Sequence, residues 1–123
     1  MSIKLQESLR AVFYAPFYVA LARGAFAAEG VEIAFVSSPR PQDAARRLME
    51  GSVDVCWGGP MRVMETYQAV PGCDLVNFAE VVTRDPFLLL GRRPNPGFAL
   101  ADLADLRLAT VSEVPTPWMC LQH

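Results

Sequence analysis

The sequence predicts an α/β domain built on a parallel sheet. Short segments with alternating apolar side chains are separated by segments with helical spacing, in the order that right-handed parallel crossovers produce. The chain has 123 residues, of which 52% are hydrophobic and 20% charged. This length and composition suit one buried core and exclude a disordered chain.

The first strand and helix are predicted within the first thirty residues. Apolar side chains alternate over 3–9 and indicate an opening strand. Pro16 suits the first turn of a helix and disfavours helix at the residue before it, so a helix is predicted from about Pro16. Gly24 and Gly30 interrupt the chain before the next strand.

Two more pairs of a strand and a helix are predicted from the same signals: apolar alternation in the strands, proline at helix starts and glycine at helix ends. They are a strand over 31–36, a helix from Pro41 to Glu50, a strand over 53–57 and a helix over 61–68.

Later segments predict further strands over 75–82, 87–90 and 108–111. A polar, proline-rich connector lies at 92–97, before the last of these strands. The apolar segment from Trp118 onward has no helix cap or charged tail, so we expect the chain to end within an element.

Composition excludes several classes of function. The net charge is -2, the isoelectric point is near 5.3 and no basic run occurs, so nucleic acid is not an expected partner. Three dispersed cysteines and a single histidine, His123, do not form a metal site or a Ser-His-Asp triad. We therefore expect no metal, no cofactor and no catalytic residue.

One segment, Ala11–Ala22, is apolar and lies between two arginines, as in a secretory signal peptide. It is shorter than the roughly 20 residues that span a bilayer. Glu7 before the segment and Pro16 within it are atypical of signal peptides. The segment therefore fits the first strand, loop and helix of a domain better.

Five motifs lie along the chain at the borders of the predicted elements: Ala15-Pro16-Phe17-Tyr18-Val19-Ala20, Arg23-Gly24-Ala25-Phe26, Glu29-Gly30-Val31-Glu32-Ile33, Glu50-Gly51-Ser52-Val53-Asp54-Val55 and Leu100-Ala101-Asp102-Leu103. As a set they resemble the type II periplasmic-binding-protein fold, in the branch of sulfonate, nitrate/taurine and thiamin-pyrimidine-precursor binding proteins. The resemblance implies a ligand cleft between two lobes, and members of about twice this length. It divides the chain into an N-terminal α/β lobe at 1–91, a crossover connector at 92–107 and the truncated start of a second lobe at 108–123.

The resemblance also implies function. We expect the small-molecule-binding component of an ABC-type uptake system, with a small organic anion or heterocycle as ligand and an ABC permease as partner. Such a protein is periplasmic or extracellular if a signal peptide has been removed, and otherwise cytoplasmic. The oligomeric state is left open between a single chain and a homodimer.

Two alternatives share this fold. One is a cytoplasmic enzyme of thiamin-pyrimidine or menaquinone synthesis, but the chain lacks the cysteine-rich motif and the internal histidine of the thiamin-pyrimidine synthases. The other is an effector-sensing domain of a regulator, although no DNA-binding module is evident here. Fold alone does not decide among these functions.

Candidate ligand-binding residues lie in the loops that follow predicted strands. They are Phe13, Tyr14, Pro16 and Phe17 after the first strand, Ser37 and Ser38 after the second, Trp57, Gly58, Gly59, Pro60 and Arg62 after the third, and Arg84 after the fourth. Glycines allow close approach of backbone to ligand, and an arginine pairs with a carboxylate, sulfonate or phosphate. Core packing by the aromatic residues, turn formation by the serines and glycines, and solvation of the arginines are the alternatives.

Overall fold

A computed structural model describes residues 2–38 and 40–123 of the chain. Among these residues the sheet has three parallel strands in the order β2-β1-β3. The strands are β1 (Ser2–Glu7), β2 (Glu32–Ser37) and β3 (Val55–Cys56). The predicted α/β fold with a parallel sheet is therefore confirmed.

Five α-helices accompany the sheet in the described part of the chain. They are α1 (Ala15–Ala22), α2 (Ala25–Ala28), α3 (Asp43–Met49), α4 (Pro60–Ala69) and α5 (Thr116–Leu121), with 3₁₀ turns at Val12–Tyr14 and Leu100–Asp105. Pro16 and Pro60 lie in the first turns of α1 and α4, as their fixed φ favours. Gly24, with φ 66°, separates α1 from α2 because it adopts the left-handed conformation.

The order of the strands decides where the helices lie. The chain crosses from β1 to β2 on one side of the sheet and then back past β1 to β3. Because both parallel crossovers are expected to be right-handed, their helices lie on opposite faces. On the face that α1 covers, the core consists of Leu5, Tyr14 and Trp57. On the face that α3 covers, the buried residues of the helix are Ala44 and Ala45.

The prediction of strands over 75–82, 87–90 and 108–111 is wrong. These residues are irregular, and apolar side chains such as Phe78 and Leu90 are 75% and 90% exposed. An apolar alternation makes a strand only where a neighbouring strand supplies hydrogen bonds. The free edge that β3 offers is two residues long, which is too short to template another strand.

The division into a lobe, a connector and a second-lobe start stays a prediction. Residues 108–123 contain α5, which packs against α4 of the first part of the chain. Among residues 2–38 and 40–123, no helix has both the length and the apolarity that crossing a membrane requires.

Candidate functional site

The carboxyl ends of the parallel strands meet at one edge of the sheet. β1 ends at Glu7, β2 at Ser37 and β3 at Cys56. The chain leaves β1 toward β2 on one side of β1, and it reaches β3 on the other side of β1. The space between the ends of β1 and β3 is therefore a topological switch point. Open α/β sheets bind ligands in the crevice outside the strand ends at such a point.

A cavity of about 280 Å³ lies at this switch point. Its walls come from the ends of β1 and β3, from α3, from the start of α4, and from two segments distant in sequence. The lining residues are Ser8, Leu9, Tyr14, Pro41, Ala44, Ala45, Leu48, Asp54, Val55, Cys56, Trp57, Gly58, Gly59, Arg62, Val63, residues 74–78 and residues 113–115.

The buried indole of Trp57 anchors one wall of the cavity. It is 3% exposed and stacks on Phe17, with ring centroids 4.4 Å apart and planes inclined by 18°. Tyr14 and Tyr18 pack on it at centroid distances of 5.7 and 5.5 Å. The indole Nε1 donates a 3.2 Å hydrogen bond to the carbonyl oxygen of Leu9, so the end of β3 fixes the loop after β1.

A glycine turn joins β3 to α4 at the mouth of the cavity. Gly58 has open space where a Cβ would stand, whereas a Cβ at Gly59 would lie 3.2 Å from Thr116 Oγ1. No side chain of the described residues caps α4 at its N-terminus. The turn therefore brings bare backbone to the cavity surface, where a ligand can approach closely.

Arg62 projects from the first turn of α4 and lines the cavity. Its Nη1 lies 3.1 Å from a Glu65 carboxylate oxygen, and its Nη2 donates a 3.1 Å hydrogen bond to the carbonyl oxygen of Glu113. Arg62 thereby ties residues 113–115 across the cavity. An anionic ligand would share this guanidinium with the two groups it already binds.

The sequence profile of the NMT1/THI5-like family matches residues 12–121, which is nearly the whole chain. The chain belongs to this family. The family covers ABC substrate-binding proteins and proteins of the thiamin pathway, and it indicates small-molecule binding. Among curated proteins, none matches the chain significantly.

Five of the predicted site residues of this NMT1/THI5-like chain come together around the cavity. They are Tyr14, Trp57, Gly58, Gly59 and Arg62. Their role in binding a ligand stays a prediction, but the structure places them on one continuous surface. They include four of the five residues chosen after the third strand.

The other predicted residues lie outside the cavity lining. Phe17 packs behind Trp57, while Phe13 packs against Tyr14 and Phe87 at centroid distances of 4.6 and 6.1 Å. These contacts match the core-packing interpretation of the aromatic residues. Pro16 and Pro60 lie in the first turns of their helices, and Arg84 is exposed in an irregular segment.

The two serines after β2 make local contacts. Ser37 Oγ donates to Glu7 Oε2 at 3.4 Å, and Ser38 Oγ donates to the Arg40 carbonyl oxygen at 2.8 Å. The Ser38 hydroxyl thus contacts nearby backbone, as turn serines do, which is the alternative to ligand binding that its position suggests. Neither serine lines the cavity.

Glu7 is a structural centre that sequence reasoning missed. Its buried carboxylate accepts hydrogen bonds from Arg10 at 2.9 and 3.1 Å and from the Tyr18 hydroxyl at 2.9 Å, besides that from Ser37. The Arg10 hydrogen bond holds the pKa of Glu7 below its ordinary value of 4.5. The carboxylate thus joins the ends of β1 and β2 to α1.

Cavity residues from the loop after β1, from α3 and from 113–115 were also missed, because no local motif marks them. Cys56, at the end of β3, also places a thiol at the cavity wall. Burial raises the pKa of this thiol, and the Ser8 hydroxyl acts in the opposite direction. Cys56 is therefore largely protonated at neutral pH and is a weak nucleophile. Among the residues described, no three His, Cys, Asp or Glu side chains form a group that could hold a metal ion.

Proposed function

We propose that this chain is the small-molecule-binding component of an ABC-type uptake system, and that the switch-point cavity holds the ligand. The observation that carries the proposal is the position of the cavity, which lies where open α/β sheets bind ligands. Membership in a family that includes ABC substrate-binding proteins supports the transport role. An ABC permease partner and a location outside the cytoplasmic membrane belong to the same proposal.

The size of the cavity limits the ligand. A volume of about 280 Å³ lies just below the range of about 300–1,000 Å³ that is typical of ligand pockets. Tyr14, Trp57 and the aliphatic side chains of the lining suit an apolar ring, and Arg62 and the glycine turn offer hydrogen-bond donors. A small organic anion or a small heterocycle fits this combination.

An enzyme of the thiamin pathway is the second candidate, because the family includes such proteins and because Cys56 lines the cavity. The raised pKa of Cys56 opposes a nucleophilic role, since the thiolate is the reactive form. Binding without turnover supports the transport proposal. Recovery of chemically altered ligand after incubation with the chain would support the enzyme instead.

The test is a thermal-shift screen with sulfonates, carboxylates, pyrimidines and amino acids. A ligand at a hundred times its Kd adds about 2.7 kcal/mol to the free energy of unfolding. For a chain of this size that raises Tm by about 10 °C. A panel that leaves Tm unchanged, at concentrations up to the millimolar range, contradicts the proposal.

A matched pair of variants at Gly58 locates the site. Gly58→Leu extends an isobutyl group into the open space beside the turn, and Gly58→Ala adds only a Cβ there. We expect Gly58→Leu to abolish the ligand-dependent shift and Gly58→Ala to keep most of it, with both variants folded. Equal shifts for Gly58→Leu and the wild type would place the ligand elsewhere.

Alkylation of cysteines gives an independent readout of the same surface. Cys56 lines the cavity, whereas Cys120 is exposed on α5 and does not. We expect a bound ligand to slow the modification of Cys56 by a small maleimide and to leave that of Cys120 unchanged. Equal protection of both thiols would indicate a global effect rather than occupation of the cavity.

A further inference from the structure

Gln6 is a buried polar side chain without a partner. It lies in the central strand, is 0% exposed, and neither its amide nitrogen nor its amide oxygen has a hydrogen bond within residues 2–38 and 40–123. The Ser8 hydroxyl oxygen is buried as well; it makes no hydrogen bond of standard geometry within those residues, although it lies close enough to the Cys56 thiol to counter in part the rise that burial causes in the pKa of that thiol. Such groups are rare, because each costs the free energy of losing its hydrogen bonds to water.

The two unpaired side chains lie on one face of the sheet, next to the cavity. Gln6 and Ser8 are two residues apart, so they lie on the same face of the chain's first strand and its extension. Gln6 is also the register partner of Cys56 in β3. Ser8 and Cys56 line the cavity, and Gln6, which is not itself part of the lining, lies next to both of them.

The residues that cover this part of the cavity do not satisfy Gln6. The buried residues of α3 are Ala44 and Ala45, which line the cavity and carry no polar side-chain atom. A carboxamide offers a donor and an acceptor at neighbouring positions and carries no charge. Its complement is another uncharged group with both functions side by side.

Building on the proposed function, we infer that Gln6 and Ser8 form a polar subsite that binds an uncharged amide-like group of the ligand. In this inference the Ser8 and Cys56 side chains separate to admit the ligand group, which then pairs with the N–H and the oxygen of the Gln6 carboxamide. The class includes primary carboxamides, lactams and ureas.

Charge separates this class from carboxylates and sulfonates. A carboxylate would face the acceptor oxygen of Gln6 and would lose hydration in a buried position. Arg62, the cationic side chain of the lining, is already bound to Glu65 and to the Glu113 carbonyl oxygen. The subsite therefore selects the neutral member of an amide and acid pair.

The test compares benzamide with benzoate, and nicotinamide with nicotinate, on the whole chain by titration calorimetry. We expect each amide to bind at least tenfold more tightly than its acid. Gln6→Met keeps the length of the side chain and removes both polar atoms, and Ser8→Ala removes the hydroxyl. We expect each variant to reduce the preference for the amide by about fivefold or more, as the loss of one hydrogen bond predicts.

The melting temperature of the ligand-free protein separates binding from structure. Because Gln6 is unpaired in the free protein, Gln6→Met should raise Tm while it weakens amide binding. Gln122→Met, at an exposed glutamine after α5, is the control and should change neither quantity. Ser8→Ala keeps the inference testable if Gln6→Met does not fold.

The outcomes distinguish this inference from the proposed function. Equal binding of amide and acid, or an unchanged preference in the folded variants, overturns the amide subsite while a ligand-binding cavity stands. Failure of every probe and every member of the thermal-shift panel to bind the wild type overturns both.

Discussion

Replacement of Trp57 by phenylalanine tests whether the aromatic cluster supports the cavity wall. Trp57 is 3% exposed, and its Nε1 donates to the Leu9 carbonyl oxygen at 3.2 Å. Loss of this hydrogen bond costs about 1 kcal/mol. The smaller ring costs about another 1 kcal/mol, since full truncation of a buried tryptophan to alanine costs roughly 3–5 kcal/mol.

Trp57→Phe should therefore lower the free energy of unfolding by about 2 kcal/mol, which is roughly a 30-fold change in the folding equilibrium. With a urea m-value of about 2 kcal/mol/M, the midpoint measured by far-UV circular dichroism shifts down by about 1 M. Trp118, on α5 and 47% exposed, provides the control. Trp118→Phe should cost less than about 0.5 kcal/mol. Equal losses for the two variants would refute the argument.

Three further perturbations follow from the same contacts. The Arg10 hydrogen bond lowers the Glu7 pKa below 4.5, so the stability that the carboxylate contributes is complete above that pH and is lost as the pH falls through the lowered pKa. Tm of the wild type should fall below pH 4.5 more steeply than Tm of Glu7→Gln; parallel curves in a pH series would contradict this. Gly59→Ala should lower the free energy of unfolding by less than about 1 kcal/mol, because the new Cβ would lie 3.2 Å from Thr116 Oγ1. In a Thr116→Ala background the same substitution should leave the free energy of unfolding unchanged, and a double-mutant cycle measures the difference. Absence of coupling would show that the two groups do not touch. Cys56 should react with maleimide more slowly at pH 8 than a free thiol, since burial raises its pKa; equal rates would indicate an exposed thiolate.

Local signals were sufficient for the first part of the fold. The alternation over 31–36 and the prolines at the starts of α1 and α4 depend on neighbouring residues only, and the structure has the corresponding strand and helices. The apolar run over 75–82 carried an equally good strand pattern. It is irregular because pairing depends on a free strand edge elsewhere in the chain, which the pattern does not encode.

The candidate site divides in the same way. The glycine turn and Arg62 were identifiable because they follow one strand directly. The aromatic residues were identifiable as a group, but the sequence did not show which of them line the cavity and which pack in the core. Glu7 acquires its importance from Tyr18 and Ser37, which lie 11 and 30 residues away. Gln6 stands out only once the burial of its carboxamide and the absence of partners among the described residues are known.

The indole N–H signals of the two tryptophans offer the most direct measurement of the central claim, that the switch-point cavity binds a small molecule. Trp57 lines the cavity and Trp118 does not, so a ¹H–¹⁵N spectrum gives one signal at the site and one reference away from it. On titration with the best ligand of the thermal-shift panel, the Trp57 signal should shift and saturate, and the Trp118 signal should stay in place. A saturating shift of Trp118 with an unchanged Trp57 would contradict the account.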